Sequence, residues 1–343
     1  MFDRDISIFN TLHQELKAGL KLYWDTAAKV LDKSSIKVLK AGSDYYSVEK
    51  NFFSTMFLYS YFRAGITSSR RTFYAAVNQC LRGMVTGCDN ILDDEYKMTL
   101  ATDLPSGADK FRSIVDIMVS DRVLFSLLIG EFSLSFDKVT EASFESLRTL
   151  AKSGAQEASE EQGAGSIVEP DYILSDIHSL KTGVLFQSPW ALPGLLEETD
   201  ALDPLFCRNK EIIKNALFDI GMGCQIFDDM VDLSLDIKMN RHNYAAALIQ
   251  HGRKKSETIL LKEMLQNREK IQVSKDLLFK FPSAERTAAK KGYELLHQGL
   301  ANLFAPEHQF MTDISMSLIS KQIGADRFLQ NIVDPGLSHV IFS

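Results

Sequence analysis

Proline is scarce in this chain, at eight in 343 residues, and long stretches pass without a helix breaker. Period-two alternation is equally rare, which excludes a strand-rich architecture. The four cysteines, Cys80, Cys88, Cys207 and Cys224, show neither CxxC nor Cys/His spacing. That argues against a zinc site, and three of the four lie in apolar helical text, which reads as reduced, buried thiols in a cytoplasmic protein. No window of about 18 residues is free of charge, so a membrane span is not expected. The most apolar candidate, Ile114 to Phe136, is interrupted by Asp116, Asp121, Arg122 and Glu131 and is expected to be a buried amphipathic helix. The opening MFDRDISIFN has acids early and no apolar core, so no signal peptide is expected. A net charge of −7 with no basic stripe argues against nucleic acid as a partner. A GxxxxGK[ST] phosphate loop and a Ser/His/Asp set are both missing.

What remains is helical text. Hydrophobic residues make up 45% and charged residues 24%, enough for a core and a wetted surface. Apolar residues recur at three and four, predicting helices over 4–32, 46–66, 69–98, 109–135, 141–160, 170–191, 206–234, 240–251, 254–272, 282–304 and 308–331. Asp44 and Ser47 are expected N-caps, and Pro170-Asp171 an expected helix start. The small, acidic stretch 153–165 (SGAQEASEEQGAG) reads as a surface loop. We therefore expect residues 1–343 to form a single all-α helical bundle with its site in the core.

Two acidic clusters stand out against this background. One is Asp89-Asn90-Ile91-Leu92-Asp93-Asp94-Glu95; the other is Gln225-Ile226-Phe227-Asp228-Asp229-Met230-Val231-Asp232. Asp89 and Asp93 are four apart, as are Asp228 and Asp232, and Asp236 repeats the step, so on helices the carboxylates share a face. Carboxylates in apolar text need neutralising. Clustered aspartates without His or Cys suit Mg²⁺, which takes oxygen ligands and is commonly shared with substrate phosphates. Such ions would stabilise a departing diphosphate, while an allylic cation would need a dry, aromatic pocket. Phe52, Phe53, Phe57, Tyr59, Tyr61 and Phe62 are candidates for its wall.

These residues resemble a known family. Gln225-x-x-Asp228-Asp229-x-x-Asp232 is similar to the second aspartate-rich motif of trans-polyprenyl diphosphate synthases. Lys181-Thr182 is similar to their Lys-Thr pair, and Asp89-x-x-x-Asp93 with Asp94 resembles their first motif. The order and the 139-residue spacing from Asp89 to Asp228 fit the class I isoprenoid synthase superfamily over about residues 60 to 250. Three departures stand out. Asn90 replaces a usual aspartate, Tyr96-Lys97-Met98-Thr99 stands where elongating members carry an arginine pair, and the early Gly-Lys-x-x-Arg element is missing. The series Gln225, Asp228, Asp232, Asp236, Arg241 also resembles the second motif of phytoene and squalene synthases.

The resemblance implies an isoprenoid synthase-like bundle, three Mg²⁺ ions, an allylic prenyl diphosphate substrate with isopentenyl diphosphate as a second one, and a homodimer. Asp89, Asp93 and Asp94 are the expected ligands of two ions; Asp228, Asp232, Asp229 and Asp236 are those of the third. Lys181, Thr182, Gln225, Lys238 and Arg241 are expected to contact the diphosphate. Arg63, Arg70 and Arg71 are the nearest basic candidates for a second one. Arg82 is an ambiguous mid-helix cation, and His178, one turn before Lys181, is expected to pack or to support a ligand. Leu81, Val85, Gly83 and Gly87 lie below Asp89 and suggest a floor of small residues open to a long prenyl tail. The motifs leave head-to-tail synthase, terpene cyclase, head-to-head synthase and non-catalytic helical subunit all open.

Overall fold

The computed structural model describes residues 7–130, 134–160, 163–197 and 204–329. Among them the chain is helical, with a single isolated antiparallel bridge between Val38 and Thr102. The expected all-α class is what the structure has. Residues 1–6, Glu131 and the ends of the segments expected at 109–135 and 308–331 lie outside the described residues. The chain forms two compact units, residues 1–150 with 189–210 and residues 151–188 with 211–343.

In the first unit, α1 (Ser7–Val30), α2 (Phe52–Arg63), α3 (Ser68–Leu92) and α4 (Asp109–Gly130) build the core. Leu12, Leu16, Leu20, Tyr23 and Ala27 are buried along one stripe of α1, the three-and-four spacing legible in the sequence. Glycines set the closest helix approaches. A Cβ on Gly19 would lie 2.4 Å from Ala75 Cβ, and one on Gly83 would lie 2.1 Å from Ser120 Oγ. Gly83 and Gly87 therefore hold α3 against α4, where the sequence suggested a floor beneath a substrate. Among the six aromatic wall candidates, Phe52, Tyr59 and Tyr61 are buried in this core. Tyr59 stacks on Phe9 at 5.4 Å, and Tyr61 donates to the Pro189 carbonyl at 2.7 Å.

Several boundaries differ from expectation. Helix α2 starts at Phe52, after short 3₁₀ turns at Ser43–Tyr46 and Glu49–Asn51. Asp44 ion-pairs with Lys50 instead of capping, whereas Ser47 Oγ accepts the Lys50 N–H at 3.3 Å. Helix α3 ends at Leu92, not 98, because Asp93, Asp94 and Glu95 would load a helix C-terminus with negative charge. Asp94 then turns the chain with φ 53°, a left-handed conformation that Asp tolerates. Helix α4 buries Val115, Asp116, Val119, Val123 and Leu127 but leaves Phe111, Ile114 and Met118 exposed, so it is only half the buried helix expected.

Helix α5 (Phe136–Glu160) runs from residues of the first unit into those of the second and corrects the loop reading. Residues 153–160 are helical, because Ala, Gln and Glu outweigh the single Gly154 in propensity. In the second unit, α6 (Pro170–Tyr172) starts at the expected proline and continues as a wide-turned π-helix over Ile173–Gly183, followed by α7 (Val184–Gln187). Helix α8 (Ala191–Leu196) belongs to the first unit. Helix α9 (Pro204–Met239) extends past 234, so Asp236 and Lys238 share the helix of the second cluster. Then come α10 (Tyr244–His251), α11 (Lys255–Gln266), α12 (Pro282–Leu303), α13 (Met311–Ile323) and α14 (Asp326–Leu329). The break between the last two is Gly324, left-handed at φ 81°.

The π-helix and α12 pack on α9 through glycine. A Cβ on Gly221 would meet Thr182 O at 2.7 Å, and one on Gly223 would meet Leu296 N at 2.7 Å. No helix of the described residues is long and apolar enough to cross a membrane. Cys80 and Cys224 are buried free thiols, as expected, but Cys88 is exposed at the end of α3.

Candidate functional site

The first cluster occupies the last turn of α3 and the chain just beyond it. Asp89, Asp93 and Asp94 are exposed. The Asp93 N–H donates to the Asp89 carbonyl at 2.8 Å, and Asp94 pairs with Lys110 at 3.1 Å. Asn90, the residue in place of an aspartate, is buried. Its Oδ1 accepts the Lys97 N–H at 2.8 Å and its Nδ2 donates to the Lys97 carbonyl at 3.1 Å. This bracket folds the segment after the cluster back on the helix end. Partial burial and the adjacent Asp89 carboxylate push the Cys88 thiol up from its usual range.

The guanidinium groups of Arg71, Arg70 and Arg82 have structural partners. Arg71 is buried, donating from Nε and Nη2 to the Glu15 carboxylate at 2.8 and 2.6 Å and from Nη1 to the Ile66 carbonyl at 2.5 Å. Its expected contact with a diphosphate is thereby corrected: the guanidinium is spent on a buried carboxylate. Arg70 lies 3.8 Å from Glu197, and the Arg63 carbonyl accepts from Asn209 at 3.4 Å. Arg82 donates to Asn51 Oδ1 at 3.2 Å.

In the second unit, α9 presents Asp228 exposed and Asp232 half-buried, one turn apart, with Asp236 buried a further turn on. Asp229, about 100° round the helix from Asp228, is 2% exposed. Expected among the metal ligands, it has both carboxylate oxygens taken by protein donors. Oδ1 accepts from Gln225 Nε2 at 2.9 Å; Oδ2 accepts from the Tyr244 N–H and lies 3.1 Å from His178 Nε2. Burial alone would raise this carboxyl, but His178, the Tyr244 amide and Gln225 together hold it below the usual carboxylate range. Gln225 Oε1 accepts from Thr182 Oγ1, so Gln225 and Thr182, both expected at the diphosphate, bond each other.

Asn243, at the N-cap of α10, completes the set. Its Nδ2 donates to the Asp229 carbonyl at 2.7 Å and to Asp236 Oδ2 at 2.8 Å, and its Oδ1 accepts the Ala246 N–H at 3.0 Å. Burial and the neighbouring Asp229 charge push the Asp236 carboxyl well up. Arg241 and Asp236 line a cavity of about 20 Å³, room for a water, with His242 and Arg268 also on its wall. Lys238 is exposed.

Lys181 is mostly buried and ion-pairs with Glu157 at 2.9 Å. Burial would lower its ammonium, but the Glu157 and Glu160 carboxylates outweigh that and raise it. Glu157 and Asn243 carried no signal in the sequence. Glu157 lay in text read as a loop, and Asn243 acts through a cap that only the turn from α9 into α10 creates.

No protein-family model and no curated protein matches the sequence. Solved structures do. A decaprenyl diphosphate synthase from Rhodobacter capsulatus is 15% identical with a TM-score of 0.58, over 91% of this chain and 99% of that one. A geranylgeranyl pyrophosphate synthase from Lactobacillus brevis is 13% identical with a TM-score of 0.60, over 93% and 99%. A polyprenyl synthase from Caulobacter crescentus, complexed with calcium and isoprenyl diphosphate, is 12% identical with a TM-score of 0.58, over 93% and 97%. The likeness is one of fold, the all-helical architecture of these solved synthases.

Proposed function

We propose that this chain is a Mg²⁺-dependent isoprenoid synthase that ionises an allylic prenyl diphosphate and forms carbon–carbon bonds in the manner of a trans-prenyltransferase. The observation that carries the reading is the row Asp228, Asp232, Asp236 on α9, backed by an Asp229 whose own oxygens are fully engaged. The donor chemistry fits magnesium. All the side chains are carboxylates, and they come in pairs one turn apart, as suits an ion that completes its octahedron with water and substrate phosphate. Among the described residues no group of three or more His, Cys, Asp or Glu is preformed around a cation.

Bound there, Mg²⁺ would neutralise the charge growing on the leaving diphosphate. Asp228 and Asp232 are the ligands of the second cluster, and Asp89 and Asp93 those of the first. Lys181 and Arg241 are the cations assigned to the diphosphate, with Lys181 exchanging its Glu157 partner for phosphate oxygen. The three-ion stoichiometry follows from the resemblance. The solved polyprenyl synthase with bound isoprenyl diphosphate supports the substrate class.

A second reading, a terpene cyclase, is favoured by one observation. Elongation needs a second diphosphate site for isopentenyl diphosphate, and Arg71, a candidate for it, is consumed by Glu15. Incubation with geranyl, farnesyl and geranylgeranyl diphosphates, with and without isopentenyl diphosphate, separates the two by product mass. Calorimetry with Mg²⁺ and pyrophosphate tests both. Binding should be tight in the native chain and lost in Asp228→Ala, and its absence from the native chain would leave a non-catalytic helical subunit.

A further inference from the structure

His178 projects from the π-helix into the second unit and is 1% exposed. Its Nε2 lies 3.1 Å from Asp229 Oδ2, while its Nδ1 is buried and makes no hydrogen bond among the described residues. An imidazole buried with one nitrogen unpaired costs more than a leucine or phenylalanine of similar volume. Core packing therefore does not account for it. Its one polar partner among the described residues is Asp229; an ionised carboxylate only accepts, so Nε2 carries a proton and donates it.

Asp229 is the hub that this bond fixes. Four groups meet on it from three segments: His178 from the π-helix, Gln225 from α9 itself, and the Tyr244 N–H and Asn243 Nδ2 from the start of α10. Thr182 extends the chain by donating to Gln225, so the π-helix grips α9 at two points, His178 and Thr182. Asp228 and Asp232 are carried on the same helix turns, about 100° and about 60° round the axis from Asp229. Rotation of α9 about its axis would swing them, and the bond from His178 to Asp229 opposes that rotation.

We propose that His178 is a positioning residue. By donating Nε2–H to Asp229 it fixes the rotational setting of α9, and so the direction in which Asp228 and Asp232 offer their carboxylates to a magnesium-bound diphosphate. This rests on the function proposed above. Partners that orient metal ligands from behind typically contribute 10- to 100-fold in metal affinity.

The test compares the native chain with His178→Asn, whose shorter amide falls short of Asp229, and His178→Gln, whose Nε2 reaches the place of the imidazole nitrogen. The readout is the Mg²⁺ concentration that half-saturates pyrophosphate binding by calorimetry, taken beside the thermal midpoint of the ligand-free protein. The Asn variant should need about tenfold more Mg²⁺, and the Gln variant should return close to the native value. A lowered midpoint with native Mg²⁺ dependence in the Asn variant makes the residue merely structural and overturns the proposal. Should that variant not fold, amide hydrogen exchange at Tyr244 in the native chain decides: saturating Mg²⁺ and pyrophosphate should slow it, and an unchanged rate overturns the proposal. Failure of the native chain to bind Mg²⁺–pyrophosphate sinks the functional reading itself, a result distinct from native binding with an indifferent His178→Asn.

Discussion

Asn90 and Lys97 are joined by a reciprocal pair of hydrogen bonds, side-chain amide to backbone, at 2.8 and 3.1 Å. The pair explains why an amide stands where the resembling family has a carboxylate. One atom must accept from a backbone N–H and the other must donate to a backbone carbonyl, and an ionised aspartate can only accept.

Asn90→Asp should therefore weaken the fold, not complete a metal site. It puts a carboxylate oxygen against the Lys97 carbonyl in a buried place, at a cost of about 1–3 kcal/mol. A lower urea midpoint with unchanged Mg²⁺–pyrophosphate affinity is expected. A gain in affinity would instead add residue 90 to the ligand set.

Arg71 should behave as a structural residue. Arg71→Met leaves the buried Glu15 carboxylate, among the described residues, with only Ser68 Oγ, 2.6 Å away, of its side-chain donors, and breaking such a pair costs about 3–5 kcal/mol. Adding Glu15→Leu should restore most of the loss. Stability is read from denaturant unfolding, and pyrophosphate affinity of the folded protein should not change in either variant.

Asp116 sets a pH dependence. Burial raises its carboxyl from 3.8 to about 6, partly countered by the Thr99 hydroxyl, which donates to it at 2.9 Å. An acid raised on folding holds its proton more tightly in the native state, so its contribution to stability falls as pH climbs from about 4 to about 6 and is level above that. The size is on the order of 2–3 kcal/mol. Asp116→Asn should lack this decline. The native chain minus the variant, measured by urea midpoints at about pH 4.5, near the foot of that window, and at about pH 7.5, above it, should favour the native chain more at the acid end.

Gly87 holds α3 against α4. A Cβ there would lie 2.9 Å from the Ser113 carbonyl oxygen and 2.6 Å from Ile117 Cγ1, and a backbone oxygen does not yield cheaply. Gly87→Ala should cost about 1–3 kcal/mol by thermal unfolding. If Gly87 formed the floor of a substrate tunnel, the substitution would instead shorten the accepted prenyl chain at unchanged stability.

Much of this protein was legible before any coordinates. The helical class followed from scarce proline and from apolar residues at three and four, as Leu12, Leu16, Leu20 and Tyr23 bear out. The acidic row of α9 was legible because a four-residue repeat of aspartate survives any packing arrangement. Such properties are local: backbone propensity and side-chain period depend on neighbours in the chain.

Tertiary structure decided which charges are available and which are spent. Arg71 and Glu15 are distant in sequence, as are Lys181 and Glu157, His178 and Asp229, and Asn90's bracket needed the turn at Asp94. No spacing rule links such partners, because a buried ion takes whatever counter-charge the packing of helices brings within reach. A lone sequence shows the charges; only the fold pairs them.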